Sequence, residues 1–173
     1  MEKVSEQEII NKYSKGERRF VAIDLSAVDL FEVDLTGIDL TDSNLEKVYL
    51  PYANLSQSFL VRVNLRDAQM GDINLYYSDL SEADLRNANL ARANLRNANL
   101  SNANLQGANL QGVDLYNANL TGANLENVNL QGANLEKAIL YQTILKAANL
   151  YRCRLIDLSQ AICDRTTIGP EGY

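Results

Sequence analysis

Residues 83–110 read ADLRNANLARANLRNANLSNANLQGANL, and this stretch decides the fold. Leu recurs at every fifth residue in it, and the same period runs from Leu25 to Leu155 with Met70 as its one exception. Two residues before each Leu stands Ala, Ser, Thr, Cys, Val or Ile. A short period that continues through most of the chain without an insertion predicts a solenoid of stacked repeats.

The five-residue step excludes a helical solenoid. We number each repeat from its Leu, position i. On a helix this step would scatter the Leu side chains around the axis and make no apolar stripe. In an extended chain, i−2 and i share one face while i−1 points the other way. The next inward pair begins at i+3, so the chain must bend at i+1 and i+2. Each repeat is therefore predicted to be a short strand and a turn, in coils stacked about 4.8 Å apart.

The stretch 83–110 resembles the pentapeptide-repeat proteins, whose pattern is A(D/N)LXX. The resemblance covers roughly residues 18–168. The end segments YSKGERRFVAIDL and AICDRTTIGPEGY are similar to those of small cyanobacterial-type members. The resemblance to this family implies an all-β fold, a right-handed quadrilateral β-helix with about 20 residues per coil. The family's functions are diverse, so the resemblance implies the fold and little more.

The residue type at i+2 predicts the conformation of each corner. Between residues 87 and 132, nine of the ten residues at this position are Asn or Gly, which tolerate positive φ best. From Asp42 to Glu82 the position instead holds Asp, Lys, Tyr, Gln, Arg and Glu. We therefore predict positive φ in the second half, for example at Asn102 and Gly107, and negative φ at most corners of the first half.

Both ends of the chain depart from the repeat. Ser5 and Glu8 form a capping box, and Gly16 is typical of the residue that follows a helix, so residues 1–17 are predicted to be an N-terminal capping helix. Residues 18–157 would form the β-helix. After Leu155 the register slips, and residues 158–173 are predicted to be a register-shifted C-terminal coil and tail. This tail either caps the rod or joins two copies in a homodimer, and we favour the cap.

Charges on the outer wall are predicted to pair between coils. Residues 20 apart become vertical neighbours, so many carboxylates find a base in the next coil. Such exposed pairs stabilise the fold little and are more useful in fixing the register. The expected pairs are Glu46 with Arg66, Lys47 with Asp67, Asp72 with Arg92, Glu126 with Lys146, Lys137 with Asp157, and a ladder of Asp42, Arg62 and Glu82.

Nothing in the sequence predicts catalysis. The chain has no His, no phosphate loop and no Cys/His metal spacing, so we predict no catalytic residue, no cofactor and no metal site. Cys153 stands at an inward i−2 position, and Cys163 is expected to be inward in the shifted coil. A net charge of −6 argues against direct nucleic-acid binding. The N-terminus lacks an apolar segment and no stretch could span a membrane, which predicts a cytoplasmic protein without a membrane partner.

Two surfaces are candidates for a protein partner. The aromatic surface groups outward aromatic residues and one Arg, with a Tyr–Arg–Tyr cation–π ladder at residues 76, 96 and 116. Its members are Phe31, Tyr49, Pro51, Tyr52, Tyr76, Tyr77, Arg96 and Tyr116. The acidic surface wraps the first coil, since no Lys or Arg occurs between Arg19 and Lys47. Its members are Asp24, Asp29, Glu32, Asp34, Asp39, Asp42 and Glu46.

The favoured hypothesis is a non-catalytic, rigid protein-binding scaffold or regulator of unknown pathway. The alternative, implied by certain relatives, is an acidic DNA mimic that binds DNA gyrase or topoisomerase. Mimicry requires negative charge continued along the rod, because DNA presents evenly spaced phosphates. Here the acid lies at one end, whereas residues 86–125 contain three Arg against a single acidic residue, Asp114.

Overall fold

The structure, a computed structural model, describes residues 1–154 and 157–172. Parallel bridges join i−1 residues that are 20 positions apart, from Arg19–Asp39 up to Asn134–Arg154. A turn follows every fifth residue, so one coil contains four turns and four short faces. Besides these single bridges, the described residues form strand β1 (Glu2–Lys3), helix α1 (Glu6–Ser14) and strand β2 (Ile23–Asp24). The coil and its 20-residue repeat are those that the sequence predicts.

Every backbone N–H of a standard repeat has a partner, as the repeat around Leu100 illustrates. The N–H of Ala98 closes the turn onto the preceding Leu at 3.1 Å, and that of Asn99 binds the coil on the N-terminal side at 2.9 Å. Those of Leu100 and Asn102 bind the coil on the C-terminal side at 2.7 and 2.9 Å. The N–H of Ser101 binds the Asn99 side chain at 3.2 Å. The Asx residue at i−1 therefore completes the hydrogen bonding of the turn.

Leucine fills the interior of the rod. The side chains from Leu25 to Leu150 are all buried, and the most accessible, Leu140, is only 6 % exposed. The i−2 residues pack beside them, mostly as Ala or Val. Where this residue is polar, it donates to a backbone carbonyl: Ser43 to Phe20 of the preceding coil at 3.0 Å, Thr143 to Leu120 of the preceding coil at 2.7 Å, and Ser78 to Leu75 of its own turn at 2.6 Å. The core thus accepts polar groups only with a hydrogen-bond partner.

The corners of the first half contradict the prediction of negative φ. Asn102 and Gly107 have positive φ as predicted, at 58 and 70°. The i+2 residues from Asp42 to Glu82 have positive φ as well, including Tyr52 and Arg62 at 60 and 54°. The physical reason is that the i+2 N–H must point at the next coil, and positive φ there together with the i to i+3 bond is the pattern of a type II turn. The coil geometry overrides the preference of the residue.

The N-terminal helix closes the first coil. The Ser5 hydroxyl accepts from the N–H of Glu8 at 3.3 Å, and the chain turns at Gly16 with a φ of 96°. Ile9 is fully buried, and the Tyr13 hydroxyl donates to the carbonyl of Thr36 at 2.8 Å. β1 adds a parallel strand to β2 beneath the coil. In the described part of the chain, no helix is long and apolar enough to cross a membrane.

A shifted coil ends the rod. Ile162 pairs with Ile144 and Ile168 with Asn149, so the spacing falls from 20 residues to 18 and then 19. The predicted slip begins at Leu155, which lies outside the described residues. Cys163 is exposed, so the expectation that it points into the core is wrong. No further coil covers it within the described residues, and the end of the rod therefore leaves this position open to solvent.

Two of the predicted cross-coil ion pairs form. Arg62 binds Asp42 at 2.7 Å and Arg92 binds Asp72 at 2.6 Å. The others are absent among residues 1–154 and 157–172. Lys47 approaches Glu46 at 3.6 Å instead of residue 67. The register argument therefore holds for two pairs and was wrong for the rest: Glu46–Arg66, Lys47–Asp67, Glu126–Lys146, Lys137–Asp157 and Arg62–Glu82.

Candidate partner-binding surfaces

The aromatic surface occupies two neighbouring corners of the rod. One corner carries Phe31, Pro51 and Tyr52, with Tyr49 on the face that leads into it. The next corner along the coil carries the remaining members, Tyr76, Tyr77, Arg96 and Tyr116. The face between them is lined by Asn54, Asn74 and Asn94, whose side chains hydrogen-bond from coil to coil at 2.9 and 3.0 Å. A flat polar strip thus separates two aromatic edges.

Phe31, Tyr49 and Tyr52 form a compact group, which we call the aromatic cluster. Phe31 stacks on Tyr49 with ring centroids 6.2 Å apart, and it meets Tyr52 edge-on at 5.9 Å. The three side chains are nevertheless between 43 and 57 % exposed. The rings hold one another in place while leaving much of their apolar area in water, which is the condition of a pre-formed contact site.

The chain departs from its repeat to make this cluster. Tyr49 stands at an i−1 position, where an Asx side chain would accept the N–H of residue 51. Residue 51 is Pro, which has no N–H to satisfy. Losing the Asx acceptor at Tyr49 therefore leaves no donor unpaired in the turn. The two substitutions are matched, and together they allow an exposed aromatic ring in place of a ladder Asn.

The second corner is less continuous than predicted. Arg96 lies over the Tyr116 ring at 4.5 Å, and Lys137 contacts the same ring at 5.1 Å. Tyr76 packs edge-on against Tyr77 at 4.7 Å. Among the described residues, no cation–π contact joins Arg96 to Tyr76, so the lower half of the predicted Tyr–Arg–Tyr ladder is wrong. Arg96 turns instead to Asp114, at 3.0 Å.

The acidic surface surrounds the rod and does not form one patch. The carboxylates at i−1, for example Asp24 and Asp39, each accept a backbone N–H two residues later, at 2.9 and 3.0 Å. The hydrogen bonds from Ser26 are the largest cause that lowers the pKa of Asp24. Asp42 is held by Arg62, whose hydrogen bond lowers its pKa too. Much of this acidity therefore serves the turns and one ion pair.

A further apolar region escaped the sequence reasoning. Ile139, Tyr141, Ile162 and Ile168 are exposed near the C-terminal end. Ile139, Ile162 and Ile168 all stand at bridge positions of the kind that Asn or Asp occupies elsewhere. The signal was available, because Ile at i−1 breaks the pattern as plainly as Tyr49 does. The predicted aromatic surface includes such a break at Tyr49 alone.

The described residues offer little for covalent or metal chemistry. No group of three or more His, Cys, Asp and Glu in residues 1–154 and 157–172 could hold a metal ion. The buried Cys153 thiol donates to the Leu130 carbonyl at 2.9 Å, and burial raises the pKa of Cys153 to about 11. A thiol with so high a pKa is a poor nucleophile at neutral pH. Burial also raises the pKa of the Cys163 thiol, and Asp164 adds to that shift.

Comparison with known proteins identifies the repeat. The family model described as pentapeptide repeats matches eight copies, over residues 29–67, 43–76, 78–117 and 118–157. The chain is 31 % identical to Rfr23, a pentapeptide repeat protein from the cyanobacterium Cyanothece 51142, over 93 % of this chain and 99 % of that one, with a TM-score of 0.38. Comparison with curated proteins gives no match.

Two further solved structures are similar. HetL, a pentapeptide repeat protein involved in heterocyst differentiation regulation in the cyanobacterium Nostoc sp. strain PCC 7120, is 28 % identical over 98 % of this chain and 99 % of its own, with a TM-score of 0.54. Trypsin-treated QnrB1, a plasmid-mediated fluoroquinolone resistance protein, is 20 % identical over 85 % of this chain and 80 % of its own, with a TM-score of 0.62. The second likeness concerns the fold alone. Together these structures imply a right-handed β-helix.

Proposed function

The chain belongs to the pentapeptide-repeat family, and from that premise we propose that it is a non-catalytic scaffold that binds another protein. The aromatic cluster of Phe31, Tyr49 and Tyr52 is the observation that carries this proposal. Exposed Tyr rings already fixed by their neighbours lose little conformational entropy on binding, and Tyr is enriched among residues that dominate interface energies. HetL, which is similar over 99 % of its length, is involved in heterocyst differentiation regulation, and this supports a regulatory partner.

The stacking of aromatic rings on a sheet wall can also serve stability alone. Two features favour binding. The cluster leaves about half of each ring in water, so a large part of its apolar area stabilises nothing within the chain. The Tyr49–Pro51 pair, moreover, gives up a rung of the Asx ladder that Asn89, Asn109 and Asn129 form farther along the same column.

The test compares two double variants in affinity capture from a native lysate. Tyr49→Ser with Tyr52→Ser removes the cluster, whereas Phe59→Ser with Tyr141→Ser removes exposed aromatics elsewhere and serves as the matched control. We expect a protein retained by the parent and the control to be lost by the cluster variant. Binding of the purified partner should then weaken at least tenfold, or about 1.4 kcal/mol, in the cluster variant alone. Equal retention by all three proteins would overturn the proposal.

The acidic surface supports a second candidate, a DNA mimic that binds DNA gyrase. The concentration of carboxylates in the first coil favours it, whereas their distribution around all four faces disfavours it, because DNA presents phosphates at regular spacing along its axis. Inhibition of gyrase supercoiling at micromolar protein, lost on Glu32→Gln with Glu46→Gln, would establish mimicry. Activity unchanged by the protein would exclude it.

In this proposal the C-terminal tail, residues 158–173, caps the rod. The rod is residues 18–157, and the N-terminal segment 1–17, which contains α1 (Glu6–Ser14), caps its other end. A homodimer through the tail is the other assignment, and the exposed Ile162 and Ile168 favour it. Sedimentation velocity distinguishes the two. A monomer at micromolar concentration assigns the tail to capping, whereas a dimer that dissociates on Ile162→Ser assigns it to self-association.

A further inference from the structure

An open groove runs along the corner of the aromatic cluster, on the C-terminal side of it. Its volume is about 400 Å³, and it is lined by Arg92, Gln111, Gly112, Gln131, Gly132 and Arg152. These residues are the i+1 and i+2 positions of four successive coils in the column that also contains Tyr52. The cluster and the groove therefore belong to one edge of the rod.

The groove exists because two neighbouring coils have Gly at i+2. The backbone does not require Gly there, since Tyr52, Arg92 and Arg152 in the same column hold φ of 60, 58 and 61°. A Cβ at Gly132 would meet no atom within 4 Å, and one at Gly112 would make only an ordinary contact of 3.6 Å with Arg92. Packing would accept a side chain at both positions, and the turn forms without Gly, although Gly relieves the strain of a left-handed φ. What the pair does is open space between two Arg side chains.

The two ends of the groove differ in charge. Arg92 is bound by both carboxylate oxygens of Asp72, at 2.8 and 2.6 Å, so this end is close to neutral. Arg152 lies over the Tyr151 ring at 5.0 Å and has no carboxylate within 4 Å among residues 1–154 and 157–172. Although the chain has a net charge of −6, residues 86–154 contain seven Lys and Arg against three Asp and Glu. The groove thus lies in the basic part of an acidic protein.

The floor of the groove offers amide groups. The side chains of Gln111 and Gln131 make no hydrogen bond within the described residues, and each presents a donor and an acceptor. Three coils separate Arg92 from Arg152, which is about 14 Å along the rod. An extended peptide rises about 3.3 Å per residue, so roughly four residues fill this length. Carboxylates bind Arg with two parallel hydrogen bonds, which favours an acid at the Arg152 end.

We propose that this groove binds an extended acidic peptide segment, with one carboxylate at Arg152 and main-chain amides at Gln111 and Gln131. The inference rests on the proposed scaffold function and names the chemistry of the partner. Tyr52 continues the site towards the aromatic cluster, since it stands in the same column as Arg92 and adds to the effect of Asp72 in raising the pKa of Arg92. A partner segment would place its acidic part in the groove and an apolar side chain on the cluster.

The experiment titrates ¹⁵N-labelled protein with acetylated, amidated hexaglutamate and follows the backbone amide resonances. Shifts should concentrate at residues 111, 112, 131, 132 and 152. Arg152→Gln should weaken binding at least fivefold, and Gly132→Tyr should abolish the shifts by filling the groove, because Tyr52 and Tyr77 show that Tyr fits this corner conformation. Lys146→Gln, at a different corner, is the matched control and should change affinity less than twofold.

Three outcomes would overturn the proposal: no shifts at the groove, equal shifts with hexalysine, or equal shifts with sodium phosphate at the same concentration of charge. The last would identify a simple anion site and not a peptide site. A Phe31→Ser, Tyr49→Ser variant, which removes two rings of the aromatic cluster and leaves Tyr52 in place beside the groove, separates this inference from the proposed function. It should still bind hexaglutamate at the groove, so loss of the lysate partner without loss of peptide binding would support the cluster and the groove independently.

Discussion

The Asn side chain at i−1 should be worth more to the fold than any other exposed polar group, and Asn99 provides the clearest case. Its Oδ1 accepts the N–H of Ser101 at 3.2 Å and the Nδ2 of Asn119 at 3.3 Å. Its own Nδ2 donates to Asp79 at 2.9 Å. One partly buried side chain thus joins three coils and completes a turn.

Asn99→Ala removes all three hydrogen bonds and leaves the Ser101 N–H to water. At about 0.5–1 kcal/mol for each bond in a partly exposed setting, the expected loss in the free energy of unfolding is about 2 kcal/mol. Ser101→Ala is the matched control. It changes the same corner but keeps the backbone N–H, so it should cost less than about 0.5 kcal/mol. Equilibrium urea unfolding followed by circular dichroism measures both.

Asn99→Asp refines the test. It retains the acceptor for Ser101 but places a second carboxylate at hydrogen-bond distance from Asp79. Repulsion raises the folded-state pKa of this carboxylate pair, so the folded state binds a proton more readily than the unfolded state. The penalty should therefore be largest at neutral pH and shrink as the pH falls towards 4. A loss below about 0.5 kcal/mol for Asn99→Ala, or an Asp variant without pH dependence, would refute the assigned role of the ladder.

Three further predictions concern the core, an ion pair and a corner. Leu105→Ala should lower the free energy of unfolding in urea by about 2–5 kcal/mol, because its side chain is buried on all sides. Met70→Leu should lower it by less than about 1.5 kcal/mol, because Leu occupies the same position in every other repeat from Leu25 to Leu155. The hydrogen bond from Arg92 lowers the pKa of Asp72, so this pair contributes stability at neutral pH that is lost as the pH falls through the folded-state pKa, below 3.8. Asp72→Asn should flatten the decrease in Tm between about pH 5 and about pH 3. A decrease as steep as that of the parent protein would contradict this. Gln57→Gly should change the free energy of unfolding by less than about 1 kcal/mol, as measured by thermal unfolding. The reason is that relief of the left-handed φ of 60° offsets the greater entropy that Gly gives to the unfolded chain. A larger loss would show that the corner is unstrained.

The fold was predictable because the repeat determines which side chains point inward. Leu at i and a small residue at i−2 leave one way to bury both, and the alternation of strand and turn follows from that constraint. The helix at the N-terminus was predictable from Ser5 and Glu8, since capping residues act locally. Both predictions depend on interactions that lie within one repeat or one turn of helix.

The corners show where residue preference misleads. Tyr52 and Arg62 favour negative φ as isolated residues, yet both adopt the left-handed conformation. Their N–H groups bind the next coil at 3.1 and 3.0 Å, and the following residue closes the turn onto Leu. A left-handed non-Gly residue costs about 1–2 kcal/mol, whereas a negative φ would break several backbone bonds in every such repeat. Cross-coil hydrogen bonding is a property of the stack, so no single repeat reveals it.

The candidate sites were less predictable, because side-chain direction on the outer wall depends on neighbours in other coils. The 20-residue column correctly placed Arg96 beside Tyr116, but it could not show that Tyr76 prefers Tyr77. The groove was missed for a related reason. Gly112 and Gly132 looked like turn formers in the sequence, and only the positive φ of neighbouring non-Gly residues shows that the turn does not need them.

Departures from the repeat therefore differ in what they imply. In this fold an i−1 residue other than Asn or Asp gives up a turn hydrogen bond, and a Gly at i+2 gives up a side chain that the corner would accept. The first change does not improve the rod, and the second exchanges a side chain for relief of the strain that a non-Gly residue meets at a left-handed corner. At Tyr49 the loss is matched by Pro51, and at Gly132 it leaves open space beside an Arg without a carboxylate partner among the described residues. Both departures lie on one edge of the rod. This edge joins exposed aromatic rings to open space beside Arg152, and it is where a partner is expected to bind.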